Sequence, residues 1–121
     1  MTDCELLELA AKAAGYIVDG YVSSGLWVYE RNASWKEAEP PIFLWSPLKN
    51  DGDALRLAVK LNLDILQDPV SSKDNAVEVQ GNFENVEFQP WAWENRAPDP
   101  YTATRRAIVR VAAEIGKLTK N

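Results

Sequence analysis

Two stretches of this chain, 45–61 and 101–116, read as amphipathic helices with explicit start signals, and they limit what the rest can fold into. Ahead of the second, Asp99 is placed to cap and Pro100 to fill the first helical position, where a missing N–H costs nothing. Tyr101, Thr104, Ile108, Val111, Ile115 and Leu118 then recur at steps of three and four, a single stripe along the helix. In the first stretch, Asp51 and Asp53 stand where an N-cap and first-turn carboxylates belong. Ala54, Leu55, Leu57, Ala58, Val59 and Leu61 follow, and only Arg56 and Lys60 mark an exposed line. A helix this apolar, from Asp51 or Gly52 to Leu61, is expected to be buried on most sides, against a sheet at the centre of the domain.

A third helix is expected over Asp3–Ala14. Thr2 and Glu5 form a capping-box pattern, Leu6, Leu9, Ala10 and Ala13 form its apolar stripe, and Gly15 follows as a left-handed terminator. Between the helices the period changes to two. Tyr16–Ser23 and Leu26–Arg31 read as a hairpin turning at Ser24-Gly25, with Trp27 and Tyr29 on one face and Leu26 and Val28 on the other. Ile42–Trp45 is a short strand ended by Pro47, and Leu63–Gln67 is another strand. Ala76–Gln80 alternates as a half-buried strand, and Gly81-Asn82 turns it back onto Phe83–Phe88; Trp91–Glu94 extends that strand or forms a loop. Hairpin connections favour a largely antiparallel β-sheet, so the class is α+β with three helices.

At 121 residues, 46% of them hydrophobic, the chain is expected to form one domain, residues 1–121, with a core of its own. Cys4 is the single cysteine, so no intrachain disulfide can form, which suits a reducing cytoplasm. It is expected on the first helix as a small apolar residue. Thr2 and Asp3 follow Met1 with no basic and apolar run, so no signal peptide is expected, and no stretch is apolar enough to span a membrane. The net charge of −5 is uneven: residues 98–121 carry five basic and two acidic side chains against an anionic remainder.

No histidine is present, which excludes a Ser-His-Asp or Cys-His nucleophile and removes the usual soft-metal ligand. No glycine-rich phosphate loop is present. Carboxylates remain. Asp51 and Asp53, with Asp64 or Asp68, could accept Mg²⁺, although helix capping explains the first two without a ligand. Glu84, Glu87 and Glu94 could supply a glycosidase-like pair but lie in a hairpin with no identifiable cleft. No catalytic residue, metal site or cofactor is therefore assigned. The candidate binding residues are Arg105, Arg106 and Arg110, which could grip a small anion, and the tryptophans Trp35, Trp91 and Trp93. Trp27, Trp45, Trp91 and Trp93 lie in or beside strands and Trp35 in a loop; Trp35 and one of Trp91 or Trp93 are expected to be exposed, as a partner hot spot or a stacking platform. The acidic body disfavours nucleic acid as the partner.

Three segments, Thr2–Gly15, Trp45–Leu61 and Tyr101–Gly116, resemble a group of small proteins of tailed phages and prophages with the phage ABA (alpha-beta-alpha) sandwich domain. Similar proteins carry aspartate where Asn50 stands here, and asparagine where Ser46 stands. The resemblance implies a layered α-β-α sandwich and supplies no catalytic residues. The segments between are particular to this chain, which is the pattern of a scaffold with variable binding regions. The function expected is that of a non-catalytic phage or prophage accessory protein in the host bacterial cytoplasm. It would bind a host protein, as an anti-defence inhibitor whose acidic surface could mimic DNA towards a nucleic-acid-binding target. Two alternatives are a protein that sequesters a nucleotide signal on its arginines and a carboxylate-dependent Mg²⁺ enzyme.

Overall fold

The computed structural model describes residues 1–30, 41–69, 75–82 and 89–119. The class is α+β, with three helices and two three-stranded antiparallel sheets. The division of the strands between two sheets is finer than the single sheet read from the sequence.

Helix α1 (Asp3–Ala14) starts and stops where its local signals say. The Thr2 hydroxyl accepts from the Glu5 N–H at 3.1 Å, and Gly15 adopts φ 80°, its N–H reaching the carbonyls of Ala11 and Lys12. Its buried face is Leu6, Leu7, Ala10, Ala11 and Ala14 rather than the Leu6–Leu9–Ala10–Ala13 stripe. The face is rotated because α1 contacts both the first sheet and the last helix. Cys4 is exposed on α1, not packed as an apolar residue, and its thiol lies 3.7 Å from the Glu8 carboxylate.

The first sheet has the order β1 (Tyr16–Val22), β2 (Gly25–Glu30), β3 (Phe43–Trp45). Leu26 faces Trp45 across the ladder and both are buried with Val28; Trp27 pairs with Leu44 on the opposite face. The Tyr16 ring meets Phe43 and Trp45 edge-on at 5.5 and 5.4 Å. Beyond β3 the chain is held by the buried Ser46, whose hydroxyl donates to the Ser24 carbonyl and whose N–H donates to the Asp53 carboxylate at 2.9 Å. Gly25 is required where the β1–β2 turn passes this point, since a Cβ there would lie 2.5 Å from the Trp45 carbonyl oxygen.

Helix α2 (Asp51–Lys60) is capped by Asn50, not Asp51: the Asn50 side chain accepts from the Asp53 N–H at 2.8 Å. The expected burial of α2 on most sides does not hold. Ala54, Leu57 and Ala58 are buried, but Leu55 is exposed and Val59 is 72% exposed. The helix lies against its neighbours with one face only. The second sheet follows, with the order β4 (Leu63–Gln67), β5 (Ala76–Gly81), β6 (Trp91–Asn95). Trp91–Asn95 is thus a strand in its own right and the partner of β5. Phe83–Phe88, expected in that place, lies outside the described residues.

Helix α3 (Pro100–Leu118) takes the central position assigned from sequence to α2. Asp99 caps it, accepting from the Tyr101 N–H at 3.0 Å, and Pro100 opens it. Ala103, Ala107, Ile108, Val109, Val111, Ala112, Ala113 and Gly116 are buried, so the middle of α3 is enclosed on most sides. The ends of the expected stripe are not core: Tyr101 is 68% exposed and Leu118 is exposed too. Small residues explain the enclosure. The crossing of α1 and α3 is so close that a Cβ on Gly116 would sit 1.9 Å from the Leu9 carbonyl oxygen. The first sheet packs on α1, β5 and β6 pack on α3, and α2 packs on α3 and β4. One contiguous apolar cluster joins Leu26, Val28 and Trp45 to Val77, Val79 and Ala92 through the helices. No described helix is long and apolar enough to cross a membrane.

Candidate functional site

Alternation decides what the second sheet shows to solvent. On β5, Val77 and Val79 are buried beneath α3, which turns Ala76, Glu78 and Gln80 outward. On β6, Ala92 is buried and Trp91 and Trp93 point out, 60% and 53% exposed. The ladder aligns these residues: Trp91 lies opposite Gln80, and Trp93 opposite Glu78. On the other side of β5, Leu66 of β4 lies opposite Glu78 and Asp64 opposite Gln80. Glu78 therefore sits mid-sheet with an indole on one flank and an exposed leucine on the other. Asp68, Ala76, Glu78, Trp91 and Trp93 line an open concavity of about 400 Å³.

Half-exposed twin tryptophans leave on the order of 200 Å² of aromatic surface in water, side by side on one face. Both indoles are exposed, where one alone was expected. Glu78 and Leu66 were not singled out from the sequence, and Asp64 was considered only as a Mg²⁺ ligand. The alternation of 76–80 carried the outward aim of Glu78, but its neighbours depend on pairing with 91–95, which sequence reasoning gave to 83–88. Trp35 lies outside the described residues, as do Glu84 and Glu87.

The three arginines do not converge. Arg105 is mostly buried; its Nε donates to the Leu48 carbonyl at 2.9 Å, and its terminal nitrogens reach Asp51 at 2.6 Å and the Thr102 hydroxyl at 3.0 Å. Arg106 pairs with Asp3 at 3.1 Å, at the start of α1. Arg110 reaches the opposite way, to the Trp93 carbonyl at 3.0 Å and the Glu94 carboxylate. Each guanidinium ties α3 to a different element, and Arg110 caps a carbonyl of β6.

The carboxylates considered for Mg²⁺ are likewise engaged. Asp51 holds Arg105, and Asp53 holds the Ser46 N–H with one oxygen and Arg56 with the other at 2.7 Å. Among the described residues no group of three or more histidine, cysteine or acidic side chains is placed to hold a metal ion. Glu94, one of the glutamates considered for acid chemistry, is neutralised by Arg110. A groove of about 340 Å³ lies between α2, β4 and the start of α3, lined by Leu55, Ile65, Tyr101 and Ile108 among others. Among the described residues its one guanidinium is that of Arg105, each of whose three nitrogens donates to a group within the protein. No protein-family profile, no curated protein and no solved structure matches this chain.

Proposed function

We propose that this chain is a non-catalytic binding protein, a phage or prophage accessory factor acting in the bacterial cytoplasm, which engages a host protein through the outer face of its second sheet. The observation that carries this reading is the side-by-side exposure of Trp91 and Trp93 on a face built to show them. Aromatic anchors of this kind are enriched at the centres of protein interfaces.

The distribution of roles along the chain supports it. The segments that resemble phage proteins hold one another: Arg105 binds Leu48 and Asp51, Arg106 binds Asp3, and Gly116 abuts Leu9. Trp91, Trp93 and Glu78 all lie in stretches particular to this chain. On that resemblance a helical frame would present a face particular to this chain, as a scaffold for recognition does. The arginines that motivated a nucleotide-sequestering role belong to the frame. An inhibitor of a host defence factor is the role that fits such a face on a phage accessory protein.

Affinity capture from host lysate tests the proposal, using the native protein and a Trp91→Ser/Trp93→Ser variant in parallel. A stoichiometric partner recovered by the native protein and lost from the double variant is the expected result. A partner retained by the double variant and released by Trp27→Ser would move the interface to the first sheet and refute the assignment.

A further inference from the structure

Taking the face described above as the binding surface, we infer that it recognises a cationic segment of another polypeptide, with an arginine or lysine side chain lying over Trp93 and ion-paired to Glu78. The inference rests on the charge of this face. Several carboxylates elsewhere have cations, as Asp3 has Arg106, Asp51 has Arg105, Glu30 has Lys60 and Glu94 has Arg110, although the exposed Glu5, Glu8 and Asp19 have none among the described residues. The carboxylates of Glu78 and Asp64 have no ion pair or hydrogen bond among the described residues. Asp68, on the rim, uses one carboxylate oxygen to accept the Ala76 N–H at 2.8 Å. Among the described residues no basic side chain lines the concavity. The partner is left to supply the positive charge.

The aromatic geometry selects the same chemistry. An indole is the best cation–π acceptor among side chains, and Trp93 and Glu78 are ladder partners that line the same concavity. A guanidinium or ammonium lying between them meets a ring face and a counter-charge together. Trp91 and Trp93 are two residues apart on one strand, roughly 7 Å, which is also the spacing of alternate side chains in an extended ligand. Recognition would be by side chains across the sheet face. Addition of a strand to the edge of β6 is obstructed, because the Trp93 carbonyl already accepts from Arg110. Nucleic acid could stack on the indoles, but its phosphates would meet Glu78, Asp64 and Asp68 with no cation between them among the described residues.

The test uses the full chain and four probes: a nine-residue peptide with arginine at alternate positions, the same peptide with glutamine, the same with glutamate, and single-stranded oligothymidylate. Binding is followed by the shifts of the indole N–H signals in NMR spectra. The arginine peptide is expected to bind, more weakly as salt is raised, and the other three are not. Trp93→Ala and Glu78→Gln are each expected to weaken it by about 2- to 30-fold. Glu78 is exposed and its glutamine replacement is isosteric, so that variant keeps its fold, as an unchanged circular dichroism melt would verify. Glutamine or glutamate peptides that bind as well as the arginine peptide, still through Trp93, would overturn the cationic inference and leave the binding face standing. Preferred binding of the oligonucleotide, or an arginine peptide that fails to bind at millimolar concentration, would overturn it too. A lysate partner lost on Trp91→Ser/Trp93→Ser but unaffected by Glu78→Lys would separate the two readings in the same way.

Discussion

Gly116→Ala places a methyl group in the tightest crossing of the fold. The new Cβ would lie 1.9 Å from the Leu9 carbonyl oxygen and 2.7 Å from its carbon. Those atoms are helix backbone, so no rotamer change can move them aside. Bringing the contact to a normal separation of about 3.5 Å requires α1 and α3 to part by roughly 1.5 Å. Overpacking of this kind typically costs about 1–3 kcal/mol and sometimes more, because the interior yields little. Alanine returns up to about 1 kcal/mol of helix propensity over glycine. The backbone position and the size of the shift put the clash at or above the top of that range, for a net loss of about 2–3 kcal/mol. For a domain of this length that corresponds to a fall in Tm of roughly 8–15 °C. Urea and thermal melts followed by circular dichroism measure it. Gly52→Ala is the comparison: its Cβ would meet side-chain atoms only, the end of Arg56 and the Asn50 cap oxygen, both at 3.2 Å at the start of α2, so the same exchange should cost much less than at Gly116. Equal effects at the two glycines, or a Gly116→Ala variant as stable as the native protein, would refute the close packing of α1 on α3.

Three further outcomes follow from the same contacts. Arg110→Ala removes the partner of the Trp93 carbonyl and the Glu94 carboxylate, and should cost about 1–2 kcal/mol in a urea melt while leaving any response to phosphate compounds unchanged; a phosphate-dependent rise in Tm that vanishes with Arg110 would contradict its structural role. The Asp99 carboxyl is held below its ordinary value of 3.8 by hydrogen bonds from the Thr102 hydroxyl and the Tyr101 and Thr102 N–H groups, aided by the Arg105 charge. A depressed folded-state value means that the stabilisation is present in full above the unfolded value and lost as pH falls below it, so the Tm deficit of Asp99→Ala should be clear at pH 7 and shrink below 3.8; a deficit that grows with acid would reverse the sign. Partial loss of water, followed by the nearby charge of Glu8, raises the Cys4 pKa above its ordinary 9.0. Alkylation of this exposed thiol near neutral pH should therefore be slower than that of a cysteine peptide and should accelerate in Glu8→Gln; a native protein that reacts faster than the peptide would be inconsistent with that environment.

Features set by a few neighbouring residues were legible in the sequence. Thr2 with Glu5, Gly15, and Asp99 with Pro100 fix the ends of α1 and the start of α3, because a cap acts within one turn. The faces of β2 and β5 were legible for the same reason, since Leu26, Val28, Val77 and Val79 alternate with polar or aromatic neighbours. The exchange of central helices was not. Reading α3 by its large apolar residues overlooked Ala103, Ala107, Ala112, Ala113 and Gly116, which carry little hydrophobic signal but let other elements approach closely. The apolar residues of α2 outnumber the surfaces available to cover them, leaving Leu55 and Val59 in solvent.

The candidate site was legible by half. Trp91 and Trp93 were visible as residues, but their joint exposure depends on which strand pairs with β5, a long-range choice that no local pattern encodes. The arginine group illustrates the opposite error. Consecutive positions on a helix differ by 100° of rotation, so Arg105 and Arg106 point to different elements although they adjoin in sequence. Their proximity along the chain implied a shared anion, whereas their directions give three separate internal ion pairs.

The most direct measurement is the response of the five tryptophan indole N–H signals to the purified partner. With Trp91 and Trp93 at the centre of the interface, their two signals should shift and become protected from solvent exchange, while that of the buried Trp45 stays in place. A complex in which Trp91 and Trp93 keep the exchange rates of the free protein, and Trp27 alone responds, would place recognition on the first sheet and contradict the assignment.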